Sequence, residues 1–237
     1  MRRIVRGRGT VVGAAAVAAV SATLLAVGLA QQQPEPPSVP RTASAAPTAP
    51  GGSGGSGPPG DAGGRRAPAA PASPEGSDAP VRGPVLPPSE PVSLSLPSVG
   101  ASSSLVRLGL QEDGSMETPA DPDKAGWFRP GPTPGEQGPA VIAGHVTWNG
   151  ERSVFFRLGD LEQGDRIDVR REDGRTARFR VDRVERHPKD DFPTVEVYRN
   201  LDHAGLRLIT CGGTYDEERH YYSDNVVVFA SLVGGRR

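Results

Sequence analysis

One cysteine, Cys211, stands in this chain of 237 residues. It ends the run Leu206-Arg207-Leu208-Ile209-Thr210 and is followed at once by Gly212 and Gly213. A thiol that has no partner for an intramolecular disulfide, set at a strand end beside flexible glycines, has the placement of a nucleophile. The other use of a lone cysteine is as a small buried apolar side chain. A nucleophilic thiol needs an imidazole, and His145, His187, His203 and His220 are the candidates. His145 follows Gly144 at the end of the apolar run Ala140 to Ala143, so one core strand would deliver it to an edge as another delivers Cys211. His187, His203 and His220 lie in polar stretches and are expected to be exposed or capping. One cysteine and scattered histidines do not make a zinc site, and Glu151, Asp160, Glu162 and Asp165 read as surface charge rather than a calcium loop. No cofactor and no metal is expected.

The elements that must position these groups are short strands. Val92–Leu96, Arg166–Arg170 and Ala177–Val181 alternate apolar with polar residues, while Ala140–Ala143, Leu206–Cys211 and Asn225–Ala230 are nearly continuous apolar runs. Glu172-Asp173-Gly174-Arg175 joins two alternating runs as a hairpin. Helical periodicity is weak, apart from a turn over Phe155–Leu161 expected to pack Phe156, Leu158 and Leu161. These signals predict a mostly β domain, a barrel or a sandwich.

Ahead of that domain the chain changes character. Residues 1–10 carry Arg2, Arg3, Arg6 and Arg8 with no acid, and residues 11–30 carry no charge. A run of about twenty such residues spans a bilayer, and the arginines in front would keep the N-terminus in the cytoplasm. The expectation is a transmembrane anchor with the domain outside; a cleavable signal ending near Gly28-Leu29-Ala30 is the alternative. Residues 31–90 are rich in Pro, Ala, Gly and Ser and are expected to form a disordered tether. The folded domain is then residues 91–237, about 145 residues, enough for one core. A net charge of -1, with arginines interleaved among acids, gives no basis for nucleic-acid binding.

Leu208-Ile209-Thr210-Cys211 resembles the catalytic strand of the sortases, cysteine transpeptidases of the Gram-positive cell surface, and Ala143-Gly144-His145 resembles their histidine site. Phe156-Arg157-Leu158-Gly159-Asp160-Leu161 with Gly164-Asp165 resembles the segment after that histidine. Ala125-Gly126-Trp127-Phe128, Gly131-Pro132-Thr133-Pro134-Gly135, Cys211-Gly212-Gly213 and Asp224-Asn225-Val226-Val227-Val228 are most similar to class F. The resemblance implies a closed β-barrel of about eight strands with short helices. It implies that the Cys211 thiolate cleaves an LPXTG-type sorting signal after its threonine, forming a thioacyl enzyme. His145 would protonate the leaving amine and then deprotonate the incoming one, commonly supplied by a peptidoglycan precursor.

Sortases usually complete the site with an arginine at the start of the last core strand, and here Asn225 stands at that place. Arg219, in Asp216-Glu217-Glu218-Arg219-His220-Tyr221, is the expected replacement as oxyanion donor. Arg207 and Ile209 share a strand face with Cys211 and are expected, with Asn225, to contact the substrate. Two other functions use the same residues differently. A secreted cysteine hydrolase would release its acyl group to water, and a non-catalytic wall-associated β module would need neither Cys211 nor His145.

Overall fold

The computed structural model describes residues 34–41 and 80–236. Alternation turns one side of each strand inward. In β1 (Pro91–Leu96) Leu94 and Leu96 are buried, and in β7 (Arg166–Arg171) Ile167 and Val169 are. β8 (Thr176–Pro188) buries Ala177, Phe179 and Val181. With β2 (Ala101–Leu108), β3 (Ala125–Phe128), β4 (Gly138–Ala143), β9 (Ala204–Asp216) and β10 (Tyr221–Arg236) these strands close a barrel in the order β1-β2-β3-β4-β9-β10-β8-β7. The expected closed barrel of about eight strands is therefore present. The inner faces of the closed barrel meet in one core through Leu94, Ile142, Ile167, Phe179, Leu208 and Val228.

Two of the pairings are parallel, β2 with β3 and β4 with β9; the remaining barrel ladders are antiparallel. The parallel pair β4–β9 matters most, because both strands are covered on both faces, which is why their sequences read as continuous apolar runs. Outside the barrel, Val141, Ile209, Val227 and Phe229 form a second apolar layer under Val197 of the one-turn helix α1 (Thr194–Tyr198). A separate hairpin, β5 (Thr147–Trp148) with β6 (Glu151–Arg152), follows His145 and turns through Asn149 and Gly150, both at positive φ (47° and 82°).

Each expected strand is found, most of them longer than its apolar run. The hairpin at Asp173-Gly174 is also present, with Gly174 at φ 78°. β2 and β3 were not expected: Ala101-Ser102-Ser103-Ser104 lacks strand formers, and Ala125-Gly126 is too short a signal. The expected packing around Phe155–Leu161 needs one correction. Phe155, Leu158 and Leu161 enter the core, whereas Phe156 points to a separate cluster with Val146 and Tyr222.

Parts of the stretch expected to be a tether lie on the barrel. The Arg82 N–H donates to Asp202 O at 2.6 Å and the Leu86 N–H to Gly135 O at 2.8 Å. The fully buried Arg171 donates to Pro134 O at 3.1 Å and to Pro87 O, clamping this entry strip to the domain. Burial holds that guanidinium below its ordinary pKa, and Asp173, 3.3 Å away, counters the shift. Residues 34–41 also pack against the barrel, with Val39 only 5 % exposed. The expected membrane span, residues 11–30, lies outside the described residues, as do residues 42–79; no helix among the described residues is long and apolar enough to cross a membrane.

Candidate active site

Thr210, between Ile209 and Cys211, is the first link in the site. Side chains alternate along β9, so Leu206, Leu208 and Thr210 face the interior while Arg207, Ile209 and Cys211 face outward. Thr210 Oγ1 donates to Gly144 O at 2.8 Å, and the Gly144 N–H donates to Ile209 O at 3.1 Å. The β4–β9 ladder pairs Ala143 with Ile209. Cys211 lies two residues further along β9 and His145 two residues past the end of β4, so the parallel register brings the two segments to the same end of the pair.

Gly144 is required by a close approach. A Cβ there would lie 2.8 Å from Phe155 Cδ2 and 2.9 Å from Val154 Cγ1. Past it, the Phe155 N–H donates to His145 O at 3.0 Å, fixing the backbone that carries the imidazole. His145 Nε2 lies 2.8 Å from Pro119 O, and its ring packs against Trp148 with centroids 4.9 Å apart. A carbonyl oxygen only accepts, so Nε2 carries a hydrogen and Nδ1 is the nitrogen left to exchange a proton. Pro119 belongs to the loop between β2 and β3, which also borders a shallow depression lined by Leu108, Glu117 and Lys124.

Cys211 is half-buried and touches the cluster of Val146, Phe156 and Tyr222. Tyr222 donates to or accepts from Thr147 Oγ1 at 2.9 Å, and burial raises its phenol pKa, with Tyr215 and Cys211 adding to the shift. Across the antiparallel ladder Cys211 pairs with Asn225, and Asn225 pairs on its other side with His187 of β8. Cys211, Asn225 and His187 thus form one row across β9, β10 and β8.

The sequence expectation for His187 is corrected here. It is buried, not exposed, and its Nε2 lies 3.1 Å from Glu185 Oε2. Sequence alternation hides this, because the register of β8 against β10 shifts between Val181 and Arg183. His203 and His220 stay outside the row, on Asp202 (2.9 Å) and on the Tyr215 hydroxyl (3.1 Å).

The other expected residues divide. Ile209 lies in the outer apolar layer beside Val141 and Val227. Arg207, on the same face, is 5 % exposed; its guanidinium carbon is 4.5 Å from the Phe229 ring centroid, whose ring also carries Arg183 at 3.6 Å. Burial first, then repulsion from Arg183, lowers its pKa to about 10. Arg219 is held on an exposed turn: its backbone N–H donates to Asp216 Oδ1 at 3.0 Å, and its side chain, 81 % exposed, is 3.8 Å from Asp216 Oδ2.

Residues 94–233, more than half of the chain, match the sortase domain family. This chain belongs to the sortase family, whose reaction class is cysteine transpeptidation. Among solved structures it is similar to sortase A of Listeria monocytogenes (19 % identity over 62 % of this chain and 89 % of that one, TM-score 0.46). It is also similar to sortase A of Corynebacterium diphtheriae (21 % identity, 62 % of each chain, TM-score 0.47). A third likeness is to a sortase D5 transpeptidase of Clostridium perfringens (24 % identity, 61 % of this chain and 79 % of that one, TM-score 0.45). No curated protein matches this chain.

Proposed function

We propose that this protein is a class F-like sortase anchored in the cell membrane by residues 11–30, with its barrel outside the cell, that cleaves LPXTG-type sorting signals and passes the acyl group to an amine of the cell wall. The observation that supports this reading best is the parallel β4–β9 register, which carries the segments of His145 and Cys211 to the same end of the pair. In this reading Cys211 passes its thiol proton to His145 Nδ1 as its sulfur attacks the carbonyl carbon after threonine; the C–N bond then breaks, and Nδ1 gives that proton to the leaving amine. The incoming amine then gives its proton to His145 Nδ1 as its nitrogen takes the acyl carbon from sulfur. In this reading the signal binds along the outer face of β9 that carries Arg207, Ile209 and Cys211, and Val141, Val227 and Phe229, at most 1 % exposed, pack beneath it. Asn225, paired with Cys211, is the nearer candidate for the oxyanion donor; Arg219 would have to leave Asp216 and fold inward.

The test is mass spectrometry of the full chain in detergent, incubated with an LPXTG peptide and candidate amines. A thioacyl adduct on Cys211 and an amine-ligated product are expected. Release of the free acid alone in excess amine would select the cysteine hydrolase instead.

A further inference from the structure

Asp224 is a carboxylate almost sealed from solvent, 1 % exposed, in the strand that pairs with the nucleophile's own. Its ladder partner is Gly212, the residue after Cys211, and an ideal Cβ on Gly213 would stand 2.6 Å from Asp224 Oδ2. The carboxylate therefore backs directly onto the Gly212-Gly213 end of the catalytic strand. Two cations compensate it. Arg186 Nε lies 3.2 Å from Oδ2, and Arg41 Nη2 lies 2.9 and 3.1 Å from the two oxygens.

Arg41 comes from outside the sortase domain proper, from the stretch whose composition predicts only a tether. Three separate contacts seat its segment. Arg41 forms a parallel bridge with Arg186 on the edge of β8. Val39 is buried against Gly159, where a Cβ would come 2.8 Å from Val39 Cγ2 and 3.2 Å from Pro37 O. The third contact is the ion pair itself. A buried carboxylate that loses one of two partners keeps the desolvation cost and loses the compensation, so the backbone that holds it must yield.

We propose that residues 34–41 are a working part of the enzyme, a latch in which Arg41 positions the Cys211 end of β9 through Asp224. Arg41 and Asp224 do not touch the reacting atoms; they are positioning residues. The inference builds on the transpeptidase reading above, but its structural half does not need a substrate.

The experiment is therefore read in two ways on the full chain in detergent. Arg41→Ala, Arg41→Lys, and Gly159→Ala, which displaces Val39 without altering the ion pair's own residues, are compared with the parent. Amide exchange followed by mass spectrometry reports residues 211–214 and 222–225, and a peptide-cleavage assay reports kcat and KM. Arg41→Ala and Gly159→Ala should speed exchange in those two stretches by roughly tenfold or more, leaving the far wall of the barrel (β1, β7) unchanged. Both should lower kcat with little change in KM, and Arg41→Lys should restore most of each. Parental exchange at 211–214 in Arg41→Ala would overturn the latch, whatever the peptide assay shows. A fall in kcat without faster exchange, or a Lys variant as poor as Ala, would also overturn it. Absence of peptide cleavage by the parent chain would count against the transpeptidase reading and leave the exchange result to decide the latch.

Discussion

Cys211 and Asn225 are direct partners across the β9–β10 ladder, so the amide stands beside the thiol while Arg219 is held in solvent on Asp216. An oxyanion donor acts in the transition state and must lie within hydrogen-bond reach of the oxygen that gains charge. Asn225→Ala is expected to lower kcat by roughly a hundredfold with KM nearly unchanged, and Arg219→Ala to change kcat by less than about threefold. Steady-state kinetics of the two variants checks this. A large loss confined to Arg219→Ala would show that the loop folds inward during turnover and would move the donor there.

Cys211 is half-buried beside Tyr222 and Val146 rather than sunk in the core. Cys211→Ala should abolish peptide cleavage and adduct formation while costing no more than about 1 kcal/mol of stability. Thermal unfolding set beside activity separates the two effects. A variant that keeps cleaving the peptide would end the nucleophile assignment, and a steep loss of stability would return Cys211 to the role of a packed apolar side chain.

Much of this site was legible in advance, for physical reasons. Continuous apolar runs mark strands covered on both faces, so Ala140–Ala143 and Leu206–Cys211 could be read as core strands, but Cys211 is not at a strand end: β9 continues through Gly212 and Gly213 to Asp216 along β10. The class of the fold followed from short strands separated by turn residues. What composition hid was burial of charge. Arg171, Arg207 and Asp224 are all nearly sealed, and their sequence neighbourhoods look like ordinary strand alternation. The partners that make such burial tolerable come from distant places, Pro87 and Pro134 for Arg171, Arg41 and Arg186 for Asp224. Residues 34–41 were illegible for a related reason. A Pro-rich stretch has too little apolar surface to order itself, but one valine in a glycine-floored notch and one arginine on a buried acid suffice when the barrel supplies the other half.

Arg207 carries a charge into the outer apolar layer with no carboxylate within salt-bridge distance among the described residues. Its pKa of about 10 in the fold is below its ordinary value, so the folded state binds the proton less well than the unfolded chain. The sign follows: the penalty is fully present below about pH 10 and fades as pH rises further and the group can lose its proton. Arg207→Met, which keeps the volume and removes the charge, should therefore stabilise the protein at pH 7 to 9, on the order of 2 kcal/mol. The advantage should shrink above pH 10. Denaturant titrations of parent and variant at several pH values measure it. The same variant should raise KM for the sorting peptide several-fold, and an unchanged KM would remove Arg207 from the substrate groove.

Gly213 and Gly174 share a positive φ of 78° and have different surroundings. At Gly174, in the β7–β8 hairpin, a Cβ would meet nothing within 4 Å; at Gly213 it would stand 2.5 Å from Ser223 Oγ and 2.6 Å from Asp224 Oδ2. An alanine at either position bears the strain of a left-handed conformation, about 1 kcal/mol. At Gly213 it must also push aside a side chain that two arginines hold in a buried pocket. Gly174→Ala is expected to lose about 1 kcal/mol and keep full turnover, and Gly213→Ala to lose about 1 to 3 kcal/mol more together with most of its kcat. Urea unfolding and peptide cleavage of the two variants make the comparison, with the conformational cost common to both cancelling. Equal losses of stability would mean that Asp224 moves freely behind the catalytic strand, and the tight coupling between that carboxylate and the Cys211 end of β9 would have to be given up.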